Sequence, residues 1–457
     1  MAPRSVLILS YPFPPAASAA VLRTIRFVKY LPESGWKPLV LTPRVDAVYP
    51  IRLDHSLDKL VPDGTFVQRT GAWRPIVAAR KMLEAIFPTR TKAPGADKGS
   101  GSGAGSAHGP GETPKRRPGL FRAMANACER WSAMPDPYVG WVLPAIAAGL
   151  RLVRRFRPSA IYSTGPPHST HLIALALKRI TGLPIVLDFR DPWARREWKS
   201  GAEDSLRGRM EAKLEWLCVR SSDRVVLNTP RLRDEFCSAY EPRFHGKFLV
   251  IPNGYDPDLL ARISRLAKDG SERRNGVVRL CHTGSLYGRR DLRPLADAVE
   301  GLSASGLDVT LEQVGLVDGR AELSAYLRKR GLEGRVRLTE RLPHDETLRR
   351  LAAANVLVVI QPGTRTQVPG KLYEMLMFRK PILAVTEEGA TADIMREFGL
   401  GEVASSGDSG AIARAIVRLS QNRGETNADR GLDAALQAFD GRELTRRLAE
   451  ALHAISS

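Results

Sequence analysis

Residues 5–42 read SVLILSYPFPPAASAAVLRTIRFVKYLPESGWKPLVLT. A compact apolar run, SVLILS, stops at a loop of Pro, Ala and Ser, and from Ala19 onward Val21, Leu22, Ile25, Val28 and Leu31 recur at helical spacing. Gly35 closes that pattern and a second apolar run, PLVLT, follows. Strand, loop, helix, strand is the repeating unit of a parallel sheet.

The order returns along the chain. A helix over 145–156 leads to AIYST (160–164), the loop GPPHS, a helix over 170–180, Gly182 and PIVLDF (184–189), with VVLNT (225–229) and FLVIPNG (248–254) as further strands. From Val277 a second series begins, in which VVRLCHTG, VTLEQVG, VRLTER, VLVVIQ and PILAVT alternate with helical patterns. The expectation is an α/β protein of two doubly wound Rossmann-like domains facing a central cleft. Their expected limits are 1–255 and 256–430, with a helix over 431–457 packing back on the first domain. Ligands on such sheets bind in the loops at the carboxyl ends of the strands. Residues 93–119 lack almost all large apolar side chains and read as a flexible Gly/Ser-rich insertion; its glycines lack the G-x-G-x-x-G spacing and the flanking strand and helix of a phosphate-binding turn.

Composition limits the function classes. A chain of 457 residues, 43% hydrophobic and 26% charged, is globular, which excludes hormones, collagens and disordered tails. Its four cysteines include no C-x-x-C pair that could make a zinc or redox site, so the expectation is a reduced, intracellular protein. The apolar start breaks at Pro12, Pro14 and Pro15, so it reads as a strand rather than a secretion signal. Residues 1–250 carry 39 Lys and Arg against 21 Asp and Glu, whereas residues 251–457 carry 30 against 28. All seven tryptophans lie in the basic half, a pairing that suits an anionic membrane surface or another polyanion; a solvated basic face is the plain alternative. The longest apolar stretch, Tyr138 to Leu150, is too short to span a bilayer, contains Pro144 and runs into Arg151, Arg154, Arg155 and Arg157.

Two motifs carry chemistry. In VPGKLYEML (368–376) Pro369 and Gly370 open a helix whose free amides suit phosphate oxygens, Lys371 adds charge in the first turn, and Glu374 could accept both hydroxyls of a ribose. In HTGSLYGRRDLRPL (282–295) Gly284 ends a strand, Ser285 offers a hydroxyl, and Arg289 and Arg290 place two permanent charges at the same sheet edge, suited to a diphosphate leaving group.

The ordered set PFPP, STGPPHS, DFRDPW, VIPNGYD, HTGSLYGRRD and VPGKLYE…KPILAV resembles the family 4 nucleotide-sugar glycosyltransferases of GT-B architecture, in particular those of bacterial polysaccharide biosynthesis. The resemblance spans nearly the whole chain except the insertion. It implies a metal-independent, anomer-retaining transferase with no cofactor and a nucleotide-diphosphate sugar as co-substrate. A lipid-linked or glycan acceptor would sit on the first domain, and the chain would work as a peripheral protein at the cytoplasmic face of the membrane. Carried over by position, Glu374 would hold the donor ribose and Arg290 the diphosphate, the latter where the family usually has lysine. Gly370, Lys371 and Leu372 would meet the phosphate through their amides, and Gly284, Ser285 and Thr366 would line the rest of the donor site. Arg190, Asp191 and Arg290 are the catalytic candidates, and Pro15, Ser18, His168 and Asp188 the acceptor-side ones.

Three positions depart from the family pattern: Thr366 stands for the first glutamate of its Glu, seven residues, Glu motif, Ser285 for an arginine, and Arg190 for the active-site histidine. A guanidinium can stabilise charge but is no base near neutral pH. Asp188 or Asp191 could orient an acceptor hydroxyl or pair with Arg190. His168 and His171 could face the cleft or pack at a helix start. Rival readings are a metal-dependent transferase using Asp256-Pro257-Asp258, a non-hydrolysing sugar-nucleotide epimerase, and a polyanion-binding protein. Nucleic acid is not expected as a partner, because aromatic-basic recognition modules are lacking.

Overall fold

The computed structural model describes residues 3–47, 53–73, 134–195, 205–269, 276–421 and 426–456. The Gly/Ser-rich insertion expected over 93–119 lies outside them. The first domain is a seven-stranded parallel sheet in the order β3-β2-β1-β4-β5-β6-β7. Its strands are β1 (Arg4–Ser10), β2 (Trp36–Pro43), β3 (Phe66–Thr70), β4 (Ala160–Gly165), β5 (Ile185–Phe189), β6 (Arg224–Leu227) and β7 (Phe248–Val250). Helices α1 (Ala19–Tyr30), α2 (Val142–Phe156), α3 (Ser169–Thr181), α4 (Leu206–Ser221) and α5 (Pro230–Ala239) cover it.

Strand alternation sorts these helices to the two faces. Leu7 and Leu9 of β1 join Trp141, Ala148 and Ile173 in one core, while Val6 and Ile8 join Phe27 of α1 and Leu448 in the other. With both faces covered, the central strands are mostly apolar, as VLIL of β1 and IVL of β5 are.

The second sheet has six parallel strands in the order β10-β9-β8-β11-β12-β13. These are β8 (Val278–Thr283), β9 (Val309–Val314), β10 (Val336–Thr339), β11 (Val356–Ile360), β12 (Ile382–Val385) and β13 (Gly401–Ala404). Its helices are α6 (Leu260–Asp269), α7 (Arg293–Ala304), α8 (Arg320–Lys329), α9 (His344–Ala353), α10 (Gly370–Leu376), α11 (Ala390–Glu397) and α12 (Ser409–Gln421). The edge strands β3 and β13 carry no strand signal in the sequence analysis.

Two helices close the chain, where the sequence suggests one from residue 431. α13 (Thr426–Ala438) packs on the second domain, with Leu432 and Ala435 in its core, and α14 (Gly441–Ile455) crosses back to lie on α1. The chain thus passes between the domains twice, near 251–257 and near 439–441. The passages are paired: the Tyr255 amide donates to the Phe439 carbonyl at 3.1 Å and the Gly441 amide to the Tyr255 carbonyl at 3.0 Å.

The tryptophans correct one expectation. Trp36, Trp141 and Trp193 are fully buried and belong to the cores of the first domain, so they report packing and not a lipid-facing belt; Trp73 is exposed. Among the described residues no helix is long and apolar enough to cross a membrane.

Candidate donor and acceptor cleft

On the second domain the two motifs meet because β8 and β11 are neighbours in the sheet. β9 ends beside them at Gly315, where a Cβ would stand 2.2 Å from the Gly284 carbonyl, so only bare backbone lets these strand ends touch. The Gln313 side chain fixes the same carbonyl at 2.7 Å. Lys371 Nζ reaches back to Thr283 Oγ1 at 3.5 Å, which lays the helix-start cation across the Gly284 turn. Arg290 lies on the other side of that turn, donating to Gln361 Oε1 at 2.6 Å and to the Ser285 carbonyl at 3.5 Å. His282 lies buried beneath. Its Nδ1 faces the Val358 carbonyl at 2.9 Å, and burial, aided by Lys371 and Arg290, lowers its pKa to about 4, so it stays neutral.

In the first turn of α10 the Leu372 amide is already taken by the Pro369 carbonyl at 3.0 Å, and its side chain is in the core. This corrects the assignment of Leu372 as a phosphate donor and leaves the amides of Gly370 and Lys371. Glu374, half-buried, follows one turn in. Its charge acts on Arg26 of α1: burial drives the Arg26 pKa down to about 10, Arg23 pushes the same way, and Glu374 and Asp256 oppose.

The first-domain candidates separate into two groups. Asp191 remains at the cleft, where its carboxylate accepts from Gln367 Nε2 of the second domain at 2.5 Å. Nearby, Thr229 Oγ1 donates to the Thr366 carbonyl at 2.6 Å, and Arg231 pairs with Asp393 through Nη2 at 2.8 Å. Thr366 is therefore buried against the first domain and offers a backbone contact where the family pattern has a carboxylate. A cavity of about 800 Å³ opens beside it, lined by Arg195, Arg231, Asp234, Ser238, Arg365 and Asp393 among others.

The other group is structural. Arg190 is buried; it donates from Nε to the Gly165 carbonyl at 3.1 Å and from Nη2 to that of Pro166, so it clamps the GPPHS loop and is not free to stabilise reacting charge. Asp188 is fully buried and pairs with Arg23, not Arg190, through two bonds of 2.8 and 3.0 Å, while Tyr162 and Thr164 donate to the same carboxylate. Full burial closes the carboxylate to an acceptor. Arg23 continues to the carbonyls of Ile251 and Pro252 at 2.9 and 2.7 Å, tying β5 to the domain crossover.

His168 is 1% exposed and stacked on Trp193 at 4.8 Å, so it packs rather than faces the cleft. His171 bonds Ser163 at 3.0 Å, and burial lowers its pKa to about 3. Pro15 is buried, its carbonyl accepting from the Asp54 amide at 2.7 Å, and Ser18 caps α1 by accepting from the Ala20 amide at 3.4 Å. The Asp256-Pro257-Asp258 rival meets a filled site, since Lys29 Nζ lies 2.8 Å from Asp256 and 2.6 Å from Asp258.

Sequence reasoning passes over Arg23, Gln361 and Gln367. The one available signal is at Arg23 and Arg26, cations set among the apolar positions Val21, Leu22, Ile25, Phe27 and Val28 of one helix.

Two doubly wound domains closing on a cation-lined cleft make the GT-B architecture. Residues 107–259 match the family model for Glycosyltransferase Family 4, and residues 278–422 match that for Glycosyl transferases group 1. Glycosyltransferase models thus match both domains, and the chain is a glycosyltransferase of the GT-B type. It is 26% identical over 174 residues to the 2-deoxystreptamine glucosyltransferase of Streptomyces kanamyceticus, a match spanning 37% of this chain and 44% of that relative. Among solved structures it is similar to HepE of Anabaena in complex with UDP and glucose, at 17% identity and TM-score 0.64, covering 99% of this chain and 100% of that one. It is also similar to WaaG, a glycosyltransferase involved in lipopolysaccharide biosynthesis, at 15% identity and TM-score 0.57, covering 97% of this chain and 98% of that one.

Proposed function

We propose that this chain transfers a sugar from a nucleoside-diphosphate donor to a lipid-linked or glycan acceptor with retention, without a metal, in cell-surface polysaccharide biosynthesis. The observation that carries the reading is the convergence of Lys371, Arg290 and the start of α10 around the Gly284 turn, with Asp191 of the first domain bonded to Gln367 just before that helix. UDP is the first donor nucleotide to try, because HepE was solved with it.

In this reading Glu374 takes the ribose hydroxyls while the Gly370 and Lys371 amides, Lys371 and Arg290 take the diphosphate. The bond from the anomeric carbon to the diphosphate oxygen breaks, the acceptor oxygen bonds to that carbon on the same face, and the acceptor proton passes to the departing diphosphate. Retention then needs no protein nucleophile, and the clamping role of Arg190 costs the reaction nothing. Asp191 orients the acceptor, and the cavity beside Thr366 gives it room.

A peripheral membrane position at the cytoplasmic face is part of the proposal. It draws on Arg151, Arg154 and Arg155, exposed along α2, and on Leu143, 69% exposed at its start. Salt-sensitive flotation with anionic but not neutral vesicles tests it.

The donor site is tested by a thermal-shift panel of UDP, GDP, ADP and dTDP in EDTA, on the intact protein and on Glu374→Ala. One nucleotide should stabilise the intact protein and not the variant. No response to any of the four removes the proposal.

A further inference from the structure

Gln361 follows β11 and is 4% exposed, with every polar atom engaged. Its backbone amide donates to the Val385 carbonyl at 3.0 Å and its backbone carbonyl accepts from the Thr386 hydroxyl at 2.8 Å. Its side-chain amide donates to Thr364 Oγ1 at 2.8 Å, which leaves Oε1 aimed at Arg290 Nη2, 2.6 Å away. The side chain cannot turn without breaking one of these bonds. An amide oxygen also differs from a carboxylate in one respect that matters here: it fixes a guanidinium without cancelling its charge.

Arg290 is held from the other side by the Tyr287 ring, 4.7 Å from its guanidinium carbon. The next residues of the same loop serve its neighbour. A Cβ at Gly363 would come within 2.7 Å of Arg289 Nη1, Gly363 has φ +68°, and its amide is anchored on Glu387 at 2.8 Å. The loop 361–364 therefore touches both arginines.

We propose that Gln361 is a positioning residue that aims a fully charged Arg290 at the terminal phosphate of a nucleoside diphosphate, within a 361–364 cradle that sets both arginines. This rests on the donor-site reading above.

The test is calorimetry of UDP and UMP on the full chain, because their affinity ratio isolates the terminal phosphate. The variants are Gln361→Leu, Arg290→Ala and the two combined. Gln361→Leu should cut the ratio by roughly tenfold, the scale of one hydrogen bond to a charged group, and leave UMP affinity within about twofold. In the Arg290→Ala background it should change nothing further. Gln361→Glu, nearly the same shape, should lower the ratio by pairing the guanidinium with a charge. Equal losses for UDP and UMP, or a Gln361→Leu effect that persists without Arg290, would overturn the positioning role alone. A wild type that binds none of UDP, GDP, ADP and dTDP would overturn the donor-site reading and this inference together.

Discussion

Substituting Asn for Asp188 would leave the Arg23 guanidinium buried without a counter-charge between β5 and the domain crossover. Breaking one side of a buried pair costs about 3–5 kcal/mol, so Asp188→Asn should lose stability on that scale in urea unfolding; a loss below ~1 kcal/mol would contradict the buried geometry. Two of the buried imidazoles, His171 and His282, give a pH signature. His171 and His282 stay neutral in the fold down to about 3 and about 4, whereas an unfolded histidine protonates near 6.5. The unfolded state therefore binds more protons between pH 4 and 6.5, and stability should fall as pH drops through that window by up to about 1.4 kcal/mol per unit for each histidine. His282→Phe should remove one proton from the slope. The Asp188 pairing was not legible in the sequence, since its partner lies 165 positions away and Arg190 stands two positions along. The helix start that carries Lys371 and Glu374 was legible, because a strand, a turn and Pro369 fix it locally.

Helix α14 is the element that the first domain borrows from the far end of the chain. Its Leu444, Leu448 and Leu452 are buried against α1 and the Val6/Ile8 face of the sheet, and Trp36 Nε1 donates to His453 at 3.0 Å. Leu448→Ala should cost about 2–5 kcal/mol, the range for a buried leucine, and should lower the unfolding midpoint of the first domain before that of the second. A single unshifted transition in calorimetry would argue against this assignment. Central strands announce themselves because both faces are covered and most positions are apolar. The edges are uneven: β7 and β10 are read from FLV and VRLT, whereas β3, FVQRT, is mostly polar and β13, GEVA, is short and opens on glycine. The division of the closing segment into α13 and α14 was hidden for a similar reason. Both halves have an apolar stripe, and only the fold decides which domain each stripe meets.

At the scale of the whole molecule the cleft is fastened opposite the crossover by Asp191 with Gln367, Thr229 with the Thr366 carbonyl, and Arg231 with Asp393. Asp191→Ala should lower transfer by at least about tenfold while leaving nucleotide affinity within about twofold, because Asp191 belongs to the domain that does not carry the donor motifs. Steady-state rates alongside calorimetry check this, and a matching loss of nucleotide affinity would count against it. The two passages between the domains lie side by side, joined at Tyr255, Phe439 and Gly441. Topologically the second domain is thus a single insert in the first, with its ends held together at one seam. A genetic exchange that cut at this seam would replace the whole second domain and leave the first with its native core, helix α14 included. On the proposed reading, inheritance would in this way pair old recipients with new sugars in one step, with Gln367, Thr366 and Asp393 the positions to be kept.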